Sequence, residues 1–207
     1  MTPPADTRRI AGLLLAAGLS RRMASGTKLI AEFEGAPLVR HPARALCAAR
    51  LKPVLVVIGH ESARVRRALE GLPVRFIDNP APAEGMATSL KCGVRALPAG
   101  LRGVVVALGD MPHVRAEHIA GLLEAFEAAA GEAICVPVFE GRHGHPVLFP
   151  ARLFAELETL EGDVGARAVL ARHAAIVREV AASDEGVLFD VDSEAELAAH
   201  PRHQRTP

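Results

Sequence analysis

The chain predicts an α/β fold with a doubly wound sheet. Short aliphatic runs alternate with helical patterns, the first run breaks into a small-residue turn, and with no Trp or Tyr and few Phe the core is built from Ala, Val, Leu and Ile. The run Ile10 to Leu15 is bounded by glycine and unbroken by polar residues, as a parallel strand buried on both faces should be. Similar runs recur at Pro53 to Ile58, Val74 to Ile77, Val104 to Leu108 and Ala133 to Val138. Between them apolar residues return at three- and four-residue steps, which predicts helices over Pro37 to Arg50, Glu61 to Glu70, Met86 to Leu97 and Ala116 to Ala129.

Beyond Val138 the pattern changes. Gly141 and Gly144 punctuate a hairpin, Pro146 to Phe149 reads as a short strand, and helices follow at Ala151 to Leu157 and Val164 to His173. A last strand is expected at Val187 to Val191, leading into a short helix that Ser193 can N-cap. Residues 1–9 and 200–207 read as flexible ends. Residues 10–199 are expected to form one domain with two halves, 10–112 and 113–199.

Composition bounds the function. With 207 residues, half of them hydrophobic, the chain suits one domain with a substantial core. Lys+Arg and Asp+Glu are equal at 24 each, so no long-range field favours nucleic acid or an anionic membrane. No apolar stretch approaches the roughly 18 residues that would span a bilayer. Arg8-Arg9 before an apolar run has the look of an export leader, yet cleavage there would remove the first strand, so a cytoplasmic location is expected. The three cysteines, Cys47, Cys92 and Cys135, are scattered and form no C-x-x-C pair, which argues for reduced thiols and against a disulfide framework or structural zinc. Trp and Tyr are absent, so base stacking on aromatics is not a theme.

The chemistry-bearing residues begin at the end of the first run. Ala16, Ala17 and Gly18 leave backbone N–H groups free to close on phosphate oxygens, and Arg21, Arg22 and Lys28 follow with cationic donors. A planar guanidinium and a mobile ammonium together suit a polyphosphate. The glycine spacing fits neither the P-loop nor the dinucleotide fingerprint. Next, Val104 to Leu108 runs into Gly109-Asp110-Met111-Pro112, which puts Asp110 at the carboxyl end of a buried strand, where open α/β sheets bind ligands. It reads either as a cation ligand or as a turn cap. Mg²⁺ prefers one or two carboxylates plus phosphate and water oxygens, so a second acid is wanted. Asp190 and Asp192 alternate with Phe189 and Val191 and supply candidates, although Asp192 could equally face the N-terminus of the following helix.

Asn79-Pro80 and Glu84 to Leu90 read as a loop entering a helix, with Gly85 permitting close approach, Met86 beside it and Ser89 able to bond a ligand, or else as an ordinary solvated helix start. His143 and His145 form a His-x-His with no third His or Cys nearby, which argues against zinc. Gly162 and Asp163 mark a turn in which Asp163 could cap the next helix. Arg64, Arg66 and Arg67 read as a solvated face, and Cys92 as packing.

In combination these segments resemble the MobA-like nucleotidyltransferases. The match runs through LAAGxSxRMGxxxK, carried by Leu15, Ala16, Ala17, Gly18, Ser20, Arg22, Met23 and Lys28, with Ala24 replacing the usual glycine. It continues through Gly-Asp-Met-Pro at Asp110, G-M-x-x-S-L at Gly85, Met86 and Ser89, G-H-P-V-L-F at His145 and Pro146, G-D-x-G-A-R at Gly162 and Asp163, and a D-I-D-T-P-E-D-L-like element at Asp190 to Leu197. The resemblance spans Leu13 to Leu197 and implies a three-layer α/β/α sandwich, a Rossmann-like nucleotidyltransferase fold with a mostly parallel mixed sheet. It further implies a Mg²⁺-dependent transfer of CMP from CTP to the phosphate of molybdopterin with release of pyrophosphate, since Leu15-Ala16-Ala17-Gly18 looks more like the CTP-using branch than the GTP-using one.

By the resemblance, Arg22, Lys28 and Asp110 are catalytic, and Asp110 and Asp192 hold the metal with Asp190 behind them. Leu15, Ala16, Ala17, Gly18, Ser20, Asn79, Gly85, Met86 and Ser89 line the nucleotide, while His145, Pro146, Gly162 and Asp163 face the acceptor. A molybdoenzyme or its chaperone is a further implied partner. The alternatives are a guanylyl or sugar- or polyol-phosphate transferase of the same fold, or a non-catalytic cofactor-binding chaperone.

Overall fold

In the computed structural model, residues 9–18, 28–162, 166–193 and 196–197 are described. The first strand, β1 (Ile10–Ala16), is followed by a single 3-10 turn at Lys28–Ile30 and a small hairpin, β2 (Glu32–Phe33) and β3 (Ala36–Pro37). Then come α1 (Arg40–Ala48), β4 (Val54–Ile58), α2 (Ser62–Ala68), β5 (Arg75–Asp78), α3 (Met86–Arg95), β6 (Gly103–Leu108) and α4 (Ala116–Ala128). The second half supplies β7 (Ile134–Phe139), β8 (Arg142–His143), β9 (Val147–Pro150), α5 (Phe154–Leu157), α6 (Arg167–Arg172) and β10 (Val177–Ala181).

The main sheet runs β10-β7-β9-β6-β1-β4-β5, with β8 added to β7. β1 pairs in parallel with both β4 and β6, β4 with β5, and β7 with β10, whereas β9 lies antiparallel between β6 and β7. The sheet is therefore mixed but mostly parallel. Side chains of β1 alternate between its faces: Ile10, Leu14 and Ala16 enter one core with Leu46 of α1, Val65 of α2 and Phe126 of α4, while Ala11, Leu13 and Leu15 enter the other with Leu90 of α3, Leu157 of α5 and Val169 of α6. Helices on both faces make this the expected three-layer α/β/α sandwich. Close approach of α3 requires Gly93, where a Cβ would stand 2.4 Å from Leu13 Cδ1.

One expected element is corrected. Val187 to Val191 forms no strand: Glu185–Val187 is a 3-10 turn and the residues after it run as loop. Val187 and Val191 are nevertheless fully buried without joining the ladder: Val191 packs with Phe33 and Leu38 beside the Asp110 loop, and Val187 lies against Gly144 with its carbonyl on His145 N. The last strand among the described residues is Val177–Ala181, at the edge of the sheet, with the adjacent charges Arg178 and Glu179 exposed. Ser193 does act as an N-cap: its hydroxyl accepts from Glu196 N at 3.2 Å, and Glu196 Oε2 accepts from Ser193 N at 2.9 Å. Arg9, assigned to the flexible N-terminus, is held by two hydrogen bonds to the Gly100 carbonyl. Among the described residues no helix is long and apolar enough to cross a membrane.

Candidate active site

From β1 the chain passes first to β4 and β5 on one side, then returns to β6 on the other. The crevice outside the carboxyl ends of β1 and β6 is thus the switch point where an open α/β sheet binds ligands. Both candidate segments end there. Leu15 and Ala16 close β1, Ala17 and Gly18 leave it, and Gly109 N donates to the Leu15 carbonyl at 2.9 Å, which lays the Asp110 turn against the Ala17-Gly18 loop.

Three charged groups converge at this edge. Lys28 Nζ lies 2.8 Å from Asp110 Oδ2 and 2.9 Å from Asp192 Oδ1, so one ammonium spans two carboxylates that are 82 positions apart in the chain. Lys28 is largely buried, and although burial opposes its charge, Asp110 and Asp192 outweigh that and raise its pKa above 10.5. The lysine is protonated at any physiological pH. Asp110 Oδ1 is buried and has no hydrogen-bond partner among the described residues. Asp190 adds to the negative charge: its carboxyl is pushed upward by burial first, then by Asp192 and Asp110. Three carboxylates gathered around one ammonium give this end of the crevice a negative balance among the described residues.

This donor set fits a hard divalent cation. A buried carboxylate oxygen without a partner is costly unless a cation or donor meets it. Asp110 and Asp192 offer two carboxylates, and Mg²⁺ is an ion content with one or two carboxylates and oxygens from water and phosphate.

Asp192 is held in place by contacts that no local motif announces. Phe33 of the hairpin meets Phe189 at 6.5 Å and His113 at 5.4 Å, and His113 stacks on Phe189 at 4.6 Å. This small apolar cluster, with Leu38 and Val191, joins the hairpin, the Asp110 loop and the Asp192 segment. Glu196 Oε2 also accepts from Asp192 N at 2.6 Å.

At the end of β5, Asn79 is 5% exposed, and its N donates to the Ile58 carbonyl. Its Nδ2 donates to Thr88 Oγ1 at 2.9 Å and Ser89 Oγ at 3.0 Å, and its Oδ1 accepts from Ala81 N at 2.9 Å. The whole amide is thus engaged within the protein, and it shapes the 79–89 loop. Gly85 precedes α3 at φ +108°, a conformation that favours glycine, and Met86 is 41% exposed beside it. Ser20, Arg22 and Asp163 lie outside the described residues.

The Gly162 carbonyl accepts from Ala87 N at 3.1 Å, which joins this turn to the start of α3. His145 N donates to the Val187 carbonyl at 2.8 Å, and Pro146 is buried beside it. The His145 ring is pushed down to about 4 by burial, against Asp110, while Arg167 lowers it further and the Val106 carbonyl raises it. It therefore faces the site as a neutral imidazole. His143 instead pairs with Glu179 at 2.7 Å on the exposed edge, away from His145's surroundings.

A second cluster looks catalytic and is not. His118 Nε2 lies 3.3 Å from Ser183 Oγ and 3.4 Å from Asp184 Oδ2, a Ser-His-Asp gathering. However, His118 Nδ1 accepts from Arg115 N at 3.2 Å, so Nε2 carries the proton and has no lone pair with which to activate the serine. The cluster caps α4 and fastens the Asp184 turn, which also bonds Arg115 and Gly186 N.

A model of the MobA-like NTP transferase domain matches residues 12–177. The chain belongs to this family. Purine catabolism protein PucB of Bacillus subtilis strain 168 is 32% identical over 200 residues, covering 89% of this chain and 92% of that one. Nicotine blue oxidoreductase of Paenarthrobacter nicotinovorans is 29% identical over 194 residues, covering 91% and 94%. Among solved structures, a homologue of Mycobacterium tuberculosis Rv0371c from Mycobacterium sp. strain JC1 is 26% identical with a TM-score of 0.78, covering 92% of this chain and 96% of that one. This MobA-like chain is thus a nucleotidyltransferase by family, and its candidate residues Lys28 and Asp110 both fall within the matched span, while Asp192 lies beyond it.

Proposed function

We propose that this MobA-like nucleotidyltransferase transfers CMP from CTP to the phosphate of molybdopterin and releases pyrophosphate. The observation that carries a Mg²⁺-dependent phosphoryl-group chemistry is the Asp110–Lys28–Asp192 arrangement at the switch point, with a partnerless buried oxygen on Asp110. A relative named for a redox reaction shares this sequence along its length, so the reading rests on these side chains and not on architecture. The choices of CTP and molybdopterin rest on the sequence resemblance, on Leu15-Ala16-Ala17-Gly18 for the nucleotide and on the His145 and Gly162 motifs for the acceptor.

In this reading Asp110 and Asp192 hold Mg²⁺, which supplies charge neutralisation and polarisation of the α-phosphate. The remaining work belongs to the chain. The Ala17-Gly18 loop offers backbone N–H groups to the triphosphate, and Lys28, with Arg22 from the same motif, neutralises the departing pyrophosphate. The acceptor phosphate is already an anion, so no strong general base is needed and alignment dominates. His145, being neutral, contributes a hydrogen bond toward the acceptor and not a charge.

Pyrophosphate release by the purified protein, with Mg²⁺ and each of CTP, GTP, ATP and UTP, with and without molybdenum-loaded molybdopterin, tests this. Acceptor-dependent release with CTP is expected. A preference for GTP moves the chain to the guanylyl branch, release only with sugar or polyol phosphates replaces the acceptor, and binding without turnover makes it a cofactor carrier.

A further inference from the structure

A cavity of about 550 Å³ lies between α1, α2 and the β2–β3 hairpin, apart from the Asp110 crevice. Its walls carry Arg40 and Arg44 from α1 and Arg64 and Arg67 from α2, and its floor includes Ile30 and Pro37. The spacing explains the convergence: residues four apart on α1 and three apart on α2 each share one face of their helix. Arg66, pointing elsewhere, pairs with Asp78 and covers Phe76. The arginine run of α2 is therefore split, and its cavity-facing members are more than a solvated surface.

Among the described residues, no acidic side chain lines the cavity. Arg40 is fixed in place by donating Nη1 to the Ala68 and Glu70 carbonyls at 2.6 and 3.0 Å, and Arg64 has a long contact of 3.5 Å with Glu61. Arg44 and Arg67 have no ion pair or side-chain hydrogen bond among the described residues. Four like charges brought onto one concave surface repel one another, and they are compensated best by a multivalent anion. The volume lies within the usual range for small-molecule sites, and the apolar floor accepts an organic body behind the anion.

We propose that this cavity binds a small phosphate-bearing organic anion, gripped by Arg44, Arg64 and Arg67 over the Ile30–Pro37 floor, at a site separate from the catalytic carboxylates. The guanidinium fork matches phosphate oxygens in pairs, which favours a phosphate ester over a carboxylate of equal charge. The site is independent of which nucleotide or acceptor the crevice takes.

Calorimetric titration with ribose 5-phosphate, ribose and citrate tests it, on the intact chain, on Lys28→Ala and on an Arg44→Ala/Arg67→Ala double variant. Both arginines are exposed and hold no other element, so the double variant keeps its fold and its turnover, whereas Arg40 is left intact because it braces α2. Ribose 5-phosphate is expected to bind the intact chain and Lys28→Ala alike, and to weaken at least about tenfold for each arginine removed, as the loss of charge-assisted hydrogen bonds requires. Ribose should not bind, and citrate should bind more weakly than ribose 5-phosphate. No binding to the intact chain overturns the proposal. So does binding that survives in the double variant, binding that is lost only in Lys28→Ala, or citrate binding as tight as the phosphate ester.

Discussion

The backbone amide of Val191 donates to the carbonyl of Asp110 at 3.0 Å. This bond ties the loop after β6 to a segment near the C-terminal end of the described chain, and each carries its carboxylate a residue or less away. Lys28 closes the triangle from the other end of the sequence, so the site is assembled from three segments whose register is set by one backbone bond and one ammonium.

Asp110→Ala is expected to abolish transfer, with a fall in turnover of at least about a hundredfold, because the proposed metal ligand and several kcal/mol of charge stabilisation are lost together. The fold should survive, since Lys28 keeps Asp192 as its partner and removal of the carboxylate relieves its repulsion of Asp190. Turnover assays beside far-ultraviolet circular dichroism check this, and a folded variant that keeps wild-type activity would remove Asp110 from the metal.

Stability should fall as pH drops from about 6.5 toward 4 because of His145. Its folded pKa of about 4 lies below the ordinary 6.5, so between those values the unfolded chain binds more protons than the native one. The stabilisation is fully present above pH 6.5 and is lost on acidification, by up to roughly 3 kcal/mol if the whole shift is realised. Urea midpoints measured from pH 8 to 4 should show this slope, and His145→Asn should flatten it. An unchanged slope in His145→Asn would place the acid sensitivity elsewhere.

Asn79→Ala should destabilise the protein by about 1–3 kcal/mol, as Ala81 N and the Ser89 hydroxyl lose their buried partner. Because the side chain shapes the 79–89 loop and touches no described charge of the crevice, the nucleotide KM should rise while turnover at saturation stays within a few fold. A large fall in kcat with normal KM would instead place Asn79 against the reacting atoms.

The legibility of each feature depends on the range over which it is encoded. The strands β1, β4, β6 and β7 announce themselves because burial on both faces demands an unbroken aliphatic run, and Asp110 is found by its position at the end of one. Val187 to Val191 misleads for the same reason: hydrophobic alternation records burial, and here burial comes from packing of a loop and not from pairing. The true edge strand, Val177–Ala181, hides because its outward charges look like loop. The Lys28–Asp192 contact spans 164 positions, and no local pattern signals it. His113, Phe33 and Phe189 are likewise silent, since a single aromatic in a loop says nothing about its partner until the fold brings three together.

A matched pair of glycine substitutions separates local strain from coupling to the site. Gly141 sits at φ +75° in open space, so Gly141→Ala should cost about 1 kcal/mol in stability and leave turnover unchanged. Gly144 has the opposite problem, for a Cβ there would stand 2.2 Å from the Val187 carbonyl oxygen, the same oxygen that accepts from His145 N. Gly144→Ala must push the Val187 to Asp192 segment outward, which is expected to destabilise by about 1–3 kcal/mol and to lower kcat as Asp192 leaves Lys28. Urea unfolding and saturation kinetics on the two variants check this, and a Gly144→Ala enzyme with normal kcat would show that the Gly144–His145 loop and the Asp192 segment move independently.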